Sequence, residues 1–446
     1  MKRNHLYQVV IISVSVIAVL FLLSVIPEFK IGSFTFKPIH ILSDILKSTK
    51  ENKADIQKIK PLYIDTCRKG MVCFEDFSAD RSSMDTFFNA LSRIKKNKEI
   101  VRVAYFGDSF IEGDVMLEDL RDTLQKLFGG RGVGYMPITS MVAGFRETIV
   151  HSFAHFKTYS VIDKSVSPVP IGFSGMTFIP EAENFVSYRP AVKRRFLNYF
   201  YNIRLFYGKS GSSEINYTLN GSGGKQAMLK GDKEVNVFSI PGDSIKSVSF
   251  RFPADKGLKL YGASFEGGPG VYIDNFSVRG NSGYGLMRTP ENIFSQVDSI
   301  QKYKLIVLHF GLNVVAHGCK KYDWYKKMME KVIAHVKKCF PHTSILLVSV
   351  SDRSTRLNGD YTTMPEVPLL LETQRELAAD NKIAFWNLYD AMGGENSMVK
   401  FVENKPPLAN RDYTHLNFKG ARKIAYIFAQ TILYEQFKYE KKTYGR

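Results

Sequence analysis

Cysteine is scarce in this sequence, and the shortage excludes two classes of protein. The 446 residues contain four cysteines, which is too few for a disulfide-based scaffold. The spacing CRKGMVC lacks the second cysteine pair and the histidines that a structural zinc site needs, so we expect no metal there. Cys67 and Cys73 can close a small loop, and Cys319 and Cys339 can pair if the fold brings them together. The sequence alone does not decide whether either disulfide forms.

A nucleic-acid-binding motif is also lacking, although the formal net charge is +18. The basic residues are spread along the chain instead of forming one arm, so the charge indicates a solvated surface or an anionic neighbour such as a glycan or lipid head group. A hydrophobic fraction of 44% excludes a disordered chain and suffices for one large domain with additions or for two domains. We expect no nucleic-acid partner.

Charged residues are absent from Leu6 to Pro27, in the run LYQVVIISVSVIAVLFLLSVIP. About 21 residues at roughly 1.5 Å each give about 31 Å of helix, which spans a bilayer core. Lys2 and Arg3 precede the run as in a signal sequence, but it is longer than a usual signal core and no A-x-A-like cleavage site follows. We predict an uncleaved transmembrane anchor over residues 1–28, with most of the chain outside the cytoplasm.

The rest of the chain changes pattern twice. Residues 29–95 have the mixed composition of a stalk or linker. Strand and helix patterns alternate over 96–148 and again over 272–446, which predicts an α/β domain with a parallel sheet. Between them, residues 149–271 form short aromatic and β-branched runs separated by Gly, Asn, Asp and Pro, which predicts an inserted antiparallel β-sandwich.

Ser109 lies in the stretch AYFGDSFIEGD, in the turn that leaves the first predicted α/β strand. Ligands bind at this end of a parallel strand, but a serine hydroxyl needs a general base, and the base needs a third group to orient it. His415 and Asp412 in NRDYTHLNFKGA are the candidates, because a tight loop places the carboxylate against Nδ1. The alternatives are a common turn for GDS and a capping or salt-bridge role for the D-x-x-H pair.

Two further loops at strand ends supply candidate donors for an oxyanion. Asn313 follows the strand in HFGLN and offers its side-chain amide. Gly280 follows another strand in IDNFSVRGNSG and offers a backbone N–H that no Cβ shields. The backbone N–H of Ser109 is the third candidate. The alternatives are a loop-capping asparagine and an ordinary turn glycine, and His309, within an apolar strand, is predicted to be a packed core histidine.

The order of these blocks resembles that of the SGNH (GDSL-type) hydrolases, across residues 96–140 and 272–435. The resemblance implies a three-layer α/β fold in which Ser109 is the nucleophile and first oxyanion donor. It also implies that Gly280 and Asn313 are the other donors, that His415 is the base and that Asp412 orients it. Asp108 would be structural in the turn, and neither metal nor cofactor would be needed.

Four sequence features narrow the resemblance to the peptidoglycan O-acetylesterases of Gram-negative bacteria, whose insert is a carbohydrate-binding-like domain. They are the position of the β insert and the phrases GRGVGYMPI, GVYIDNFSVRG and NLYDAMGGENSM followed by PPLANRDYTHLNFKG. The chain departs from the pattern in two ways. Val314 follows Asn313 where the wider family has Asp or Glu, and the N-terminus has the pattern of an anchor instead of a cleaved signal.

We therefore expect a single-pass inner-membrane protein whose catalytic domain lies in the periplasm. Its expected activity is that of a serine esterase that removes O-acetyl groups from a cell-wall or surface glycan through an acyl-serine. One alternative is a polysaccharide O-acetyltransferase of the same type, which works beside a membrane-bound acyltransferase and passes the acetyl group to a sugar hydroxyl. Another is a glycan-binding module on an inactive hydrolase scaffold.

Overall fold

A computed structural model describes residues 11, 14, 15, 29–31, 34–36, 67, 68, 70–191 and 197–445. The chain divides into two units, residues 1–62 and 63–446. In the first unit, Phe29–Ile31 and Phe34–Phe36 form an antiparallel pair. Apart from three residues, the predicted transmembrane anchor lies outside the described residues. None of the helices found in those described ranges combines the length and the apolar character required to cross a membrane.

Strands and helices alternate in two parts of the described chain, and a run of strands lies between them, as the sequence pattern predicts. The strands are β1 Phe29–Ile31, β2 Phe34–Phe36, β3 Phe74–Asp76, β4 Ile100–Gly107, β5 Gly134–Met136, β6 Ile149–Ser160, β7 Met176–Pro190, β8 Phe200–Tyr207, β9 Ser212–Leu219, β10 Ser222–Lys230, β11 Asn236–Ile245, β12 Val248–Arg251, β13 Leu260–Glu266, β14 Gly270–Ser277, β15 Leu305–His309, β16 Ser344–Val348, β17 Ser354–Leu357, β18 Asp360–Thr363 and β19 Ala384–Trp386. The helices from residue 63 onward are α1 Asp85–Asn97, α2 Leu117–Phe128, α3 Glu291–Gln301, α4 Asp323–Cys339, α5 Glu366–Asp380, α6 Leu388–Met392, α7 Ser397–Glu403 and α8 Phe418–Tyr444.

The α/β domain is built on one sheet with the strand order β14-β4-β15-β16-β19-β3. Neighbouring strands are parallel from β14 to β19, and β3 is antiparallel at the edge. Nearly every residue of β4, β14 and β15 is buried, as expected for parallel strands covered on both faces. Helices α1, α2 and α8 pack together as one group, and α3, α4 and α5 as another. The predicted α/β fold with a parallel sheet is confirmed.

The inserted segment is antiparallel, as predicted. Within the described residues its strands form one hydrogen-bonded set with the order β10-β9-β12-β7-β13-β8-β11, in which β6 pairs with β7 and β5 with β13. These strands enclose an apolar core of their own. The pairing of β5 with β13 joins residues that precede position 149 to the insert sheet. At the other end, β14 begins at Gly270 in the α/β sheet, so the predicted boundary at 271/272 falls inside a strand.

A buried ion pair joins the insert to the α/β domain. The guanidinium of Arg102, on β4, donates two hydrogen bonds of 2.8 and 2.7 Å to the carboxylate of Glu266, at the end of β13. Both side chains are about 6% exposed. A bidentate pair at this depth holds the two sheets in one orientation, because separating the partners leaves an uncompensated buried charge.

The predicted stalk covers residues 29–95, and its last part belongs to the α/β domain. Strand β3 pairs with β19 at the edge of the parallel sheet, and Phe74 packs edge-on against Phe428 of α8. The apolar face of α1 is buried. A disulfide between Cys67 and Cys73 closes the loop before β3, whereas Cys319 and Cys339 are free thiols.

Candidate active site

Three parallel strands end in the same row of the sheet. Gly107, the last residue of β4, is paired with Ser277 of β14 on one side and with His309 of β15 on the other. The turns that follow these strands therefore meet at one edge. A Cβ at Gly107 would lie 2.8 Å from the Ile111 side chain and 3.1 Å from the His309 carbonyl oxygen, so a larger residue would force the turn that carries Ser109 to shift.

Ser109, His415 and Asp412 form a hydrogen-bonded series at this edge. Ser109 Oγ lies 2.9 Å from His415 Nε2, and His415 Nδ1 lies 2.8 Å from Asp412 Oδ2. A carboxylate only accepts hydrogen bonds, so Nδ1 carries the proton and Nε2 is left as the acceptor for the serine hydroxyl. This is the arrangement that a serine nucleophile and its base require.

The Asp412 carboxylate is held by its own loop. Its Oδ1 accepts hydrogen bonds from the backbone N–H of Thr414 at 2.9 Å and of His415 at 3.0 Å. Partial burial opposes ionisation, but these bonds and the imidazole outweigh it and keep the pKa of Asp412 below its usual range. Helix α8 is capped by Asn417, whose side chain accepts from the N–H groups of the first turn. The capping role that was the alternative for Asp412 therefore belongs to Asn417.

The Asn313 amide connects the turn of Ser109 to the turn of Gly280. Its Nδ2 donates to Asp108 Oδ2 at 3.0 Å and to the Asn281 carbonyl at 3.2 Å. Asp108 precedes Ser109, and Asn281 follows Gly280. The amide carries two hydrogens, so both are engaged in the free protein. For Asn313 to donate to an oxyanion, the longer bond, to Asn281, must be shared or exchanged.

Asp108 is almost fully buried, at 1% exposed. Its Oδ1 accepts from the N–H of Phe110 at 2.9 Å, and Oδ2 accepts from Asn313. Burial raises the pKa of the Asp108 carboxyl to about 6. The side chain is a structural part of the turn, as the resemblance implies, and it also fixes the candidate oxyanion donor Asn313.

Gly280 adopts a left-handed conformation with φ of +81°, which glycine tolerates without strain. Space around it is open, and the nearest atom to an added Cβ would be Ile162 Cδ1 at 4.0 Å. Ile162 lies in the insert, and its loop is fixed by Arg288, whose guanidinium donates to the carbonyls of Val161, Asp163 and Ser165. The insert therefore supplies part of the surface beside Gly280.

The loop of Asn313 also depends on residues that the sequence pattern does not mark as functional, Arg353 and Asn281. This loop turns at Gly311, whose carbonyl accepts a hydrogen bond from the N–H of Val314 at 2.8 Å. Arg353 donates from Nη1 to the Leu312 carbonyl at 3.3 Å. Val314 is 5% exposed, so an apolar residue fits where the wider family has a carboxylate. Arg353 and Asn281 act through backbone contacts between distant segments, and their residue types alone do not indicate such a role.

His309 is buried in the core, as predicted. Its Nδ1 lies 3.1 Å from the Tyr105 hydroxyl, and its ring packs 5.0 Å from that of Phe110. Burial lowers the pKa of His309 to about 3. The imidazole is therefore neutral, and its ring packs against Phe110 in the turn that carries Ser109.

Comparison with solved structures identifies the fold. A structure titled "Peptidoglycan O-acetylesterase in action" matches 82% of this chain and 99% of its own, with a TM-score of 0.67 and 16% identity. A family two carbohydrate esterase from Cellvibrio japonicus matches 65% of this chain and 99% of its own, at a TM-score of 0.26 and 9% identity. A GDSL-like lipase from Parabacteroides merdae matches 36% of this chain and 72% of its own, at a TM-score of 0.29 and 17% identity.

Comparisons by sequence give no match. No protein-family model matches the chain, and no curated protein does. The structural likeness nevertheless extends over both the α/β domain and the insert, since it covers four fifths of the chain. The chain thus has the SGNH hydrolase fold with an inserted β domain.

Proposed function

We propose that this chain is a serine esterase that removes O-acetyl groups from a cell-wall or surface glycan. The observation that carries the proposal is the series Ser109, His415 and Asp412, with bonds of 2.9 and 2.8 Å at the carboxyl edge of the parallel sheet. A fold similar to that of a peptidoglycan O-acetylesterase supports the choice of an acetylated glycan as substrate. The net charge of +18 suits an anionic polymer.

The proposed reaction begins when Ser109 Oγ attacks the acetyl carbonyl carbon and His415 Nε2 takes the hydroxyl proton. The tetrahedral intermediate collapses, the bond from carbon to the sugar oxygen breaks, and the imidazolium returns its proton to that oxygen. Water then attacks the acetyl-serine while His415 Nε2 takes its proton. The bond from carbon to Ser109 Oγ breaks, the imidazolium returns the proton to Oγ, and acetic acid is released and ionises to acetate. Asp412 stabilises the imidazolium in both halves, since the lowered pKa of its carboxyl keeps it ionised.

The negative charge of each tetrahedral intermediate falls on the former carbonyl oxygen. We assign its stabilisation to the N–H groups of Ser109 and Gly280 and to Asn313 Nδ2. The Asn313 amide gains a stronger acceptor when it exchanges the neutral Asn281 carbonyl for an oxyanion, so its contribution arises mainly in the transition state.

The setting of the reaction is part of the proposal. We propose that residues 1–28 anchor the chain in the inner membrane and that the catalytic unit works in the periplasm. The uncharged run from Leu6 to Pro27 and its length support this assignment. Proteolysis of intact cells and of cells with a permeabilised outer membrane tests it, because a periplasmic unit is digested only in the second case.

The activity is tested with the full-length chain in detergent micelles and O-acetylated peptidoglycan. Free acetate and acetylated sugars are followed together, with Ser109→Ala as the control. Loss of a triad serine typically lowers kcat by about 10⁴ to 10⁶. Serine-dependent release of acetate supports the esterase.

A second reaction uses the same acyl-enzyme. If soluble glycan oligomers and a chromogenic acetyl donor yield more acetylated oligomer than acetate, the chain is a transferase. A membrane-bound acyltransferase would then be its donor partner. Absence of any Ser109-dependent product contradicts both reactions and leaves a glycan-binding module.

A further inference from the structure

A β-hairpin stands beside the candidate active site, formed by β17 and β18 between residues 354 and 363. Its base is fixed by Asp352, which accepts from Thr363 Oγ1 at 2.9 Å and from the Met398 N–H at 2.7 Å. Asp352 itself is fully buried. The tip, residues 357–361, is exposed. Because its base is fixed and its tip is exposed, the hairpin is better suited to bind a ligand than to move as a cover over the site.

The hairpin contacts the loop that carries His415, the candidate general base. The Ser354 N–H donates to the Tyr413 carbonyl at 3.0 Å. The ring of Tyr361 stacks on that of Tyr413, with centroids 3.6 Å apart and an angle of 7° between the planes. Tyr413 lies between Asp412 and His415, two residues before the histidine, so its Cα is within about 7.6 Å of that of His415. The stacked pair therefore adjoins the loop that carries His415.

Two side chains of the hairpin are available to a ligand. Tyr361 is 42% exposed, and among the described residues its hydroxyl makes no hydrogen bond. The exposed guanidinium of Arg356 lies 6.0 Å from the centroid of the Tyr361 ring, and its Nε donates to the Gly359 carbonyl at 2.9 Å. That bond orients the guanidinium. Its Nη groups have no acceptor within the part of the chain that the structure describes.

This combination matches a particular ligand chemistry. An oriented guanidinium binds carboxylates through two parallel hydrogen bonds. A tyrosine offers an apolar ring edge and a hydroxyl, which suit the C–H groups and hydroxyls of a sugar. Because the hairpin adjoins the loop of His415, the two groups are candidates to contact the sugar next to the acetylated one, or a carboxylate that this sugar carries.

We propose that the hairpin 354–363 is a glycan subsite, in which Arg356 binds a carboxylate on the glycan strand and Tyr361 binds the adjoining sugar. The inference rests on the proposed function and adds to it a substrate class, a carboxylate-bearing glycan. Arg356 and Tyr361 determine specificity and take no part in proton transfer.

The test compares two substrates in each variant of the full-length chain. One is O-acetylated peptidoglycan with free carboxylates, and the other is a small chromogenic acetate ester. Arg356→Ala lowers kcat/KM on the glycan roughly tenfold more than on the ester, a difference of about 1.4 kcal/mol, because the charge-assisted hydrogen bonds to the carboxylate are lost. Tyr361→Phe keeps the ring stack and removes the hydroxyl, and it lowers kcat/KM severalfold more on the glycan than on the ester.

A matched control is Arg251→Ala. Arg251 is an exposed arginine 5.9 Å from the Phe185 ring, in the insert strand β12, and we expect no change on either substrate. Amidation of the glycan carboxylates provides a second control. On amidated glycan the wild type loses its advantage over Arg356→Ala, because the partner of the guanidinium is gone.

The outcomes separate this inference from the proposed esterase. An equal loss on both substrates shows that Arg356 only supports the fold, and wild-type behaviour of Arg356→Ala on the glycan shows that it binds nothing; either result overturns the subsite. If the wild type hydrolyses neither substrate, the esterase fails. Cosedimentation of Ser109→Ala and of Ser109→Ala/Arg356→Ala with the carboxylated glycan then decides the subsite alone, with weaker binding of the second expected and equal binding contradicting it.

Discussion

The Asp108 carboxylate and the Asn313 amide are hydrogen-bonded across two loops, with 3.0 Å between Oδ2 and Nδ2. The bond joins the residue before the candidate nucleophile to a candidate oxyanion donor, so both positions depend on one buried contact. Asp108 also accepts from the Phe110 N–H, which fixes the turn itself.

Asn313→Ala should lower kcat on a small acetate ester by about 10² to 10³, with little change in KM, because the lost bond forms mainly in the transition state. Steady-state kinetics measure this. The matched control is Asn184→Ala, since Asn184 is a buried asparagine of the insert that donates to the carbonyls of Glu181 and Phe252. It should lose stability without a comparable loss of kcat. An equal loss of kcat in both variants would contradict the assignment.

The buried Asp108 carboxyl should make stability depend on pH. Its pKa is about 6 in the folded chain and 3.8 without burial. The folded state therefore binds more protons between these values, and stability from this group falls as pH rises through them. The full effect is about 1.4 kcal/mol per pH unit, and the carboxyl is partly titrated at both ends of the range. The free energy of unfolding of the wild type, relative to Asp108→Asn, should therefore fall by about 2 kcal/mol from pH 4 to pH 6.

Urea unfolding of the wild type and Asp108→Asn at several pH values measures this difference. Subtraction of the variant removes the contributions of all other titrating groups that both proteins share. A difference that stays constant across the range would show that the folded environment does not penalise the Asp108 charge.

Asp412→Asn should lower kcat by roughly 10⁴, the loss typical when the carboxylate of such a triad becomes an amide. The side-chain oxygen can still accept from the N–H groups of Thr414 and His415, but an amide at Oδ2 favours the wrong tautomer of His415. Asp255→Asn is the matched control, because Asp255 makes the same kind of turn contact, with the Gly257 N–H at 2.7 Å. Its kcat should be that of the wild type; similar losses in both variants would disprove the role of Asp412.

Gly280→Ala should lower both stability and activity. An alanine at a φ of +81° costs about 1 to 2 kcal/mol and shifts the N–H that we assign to the oxyanion. Gly268→Ala is the control, since Gly268 has a φ of +76°, has open space around it and precedes β14, whereas Gly280 follows it. Thermal unfolding should detect a similar loss in both variants, and ester hydrolysis should fall only in Gly280→Ala. Unchanged hydrolysis in Gly280→Ala would remove Gly280 from the site.

The disulfide between Cys67 and Cys73 should stabilise the chain without contributing to activity. A loop of this size removes unfolded-state entropy worth about 2 kcal/mol. The double variant Cys67→Ser/Cys73→Ser should therefore lose about that much free energy of unfolding and retain ester hydrolysis. A large loss of activity in a folded double variant would show that the loop supports the active site.

The sequence by itself determined the α/β alternation, the antiparallel insert and the candidate residues, because these depend on local periodicity and on the order of short motifs. The resemblance carried by those motifs indicates five site residues from the sequence alone: Ser109, His415, Asp412, Gly280 and Asn313. The uncharged run from Leu6 to Pro27 predicts the anchor over residues 1–28, and this remains a prediction.

The tertiary structure decided what depends on residues far apart in the chain. Only the strand register brings Gly107 between Ser277 and His309, and only packing makes Asp108 a buried partner of Asn313. The end of the stalk and the start of the insert sheet, at β3 and β5, follow from strand pairing that short segments do not encode. The stack of Tyr361 on Tyr413 has the same origin, since an exposed tyrosine and a partly buried one come into contact only when the fold places their loops side by side.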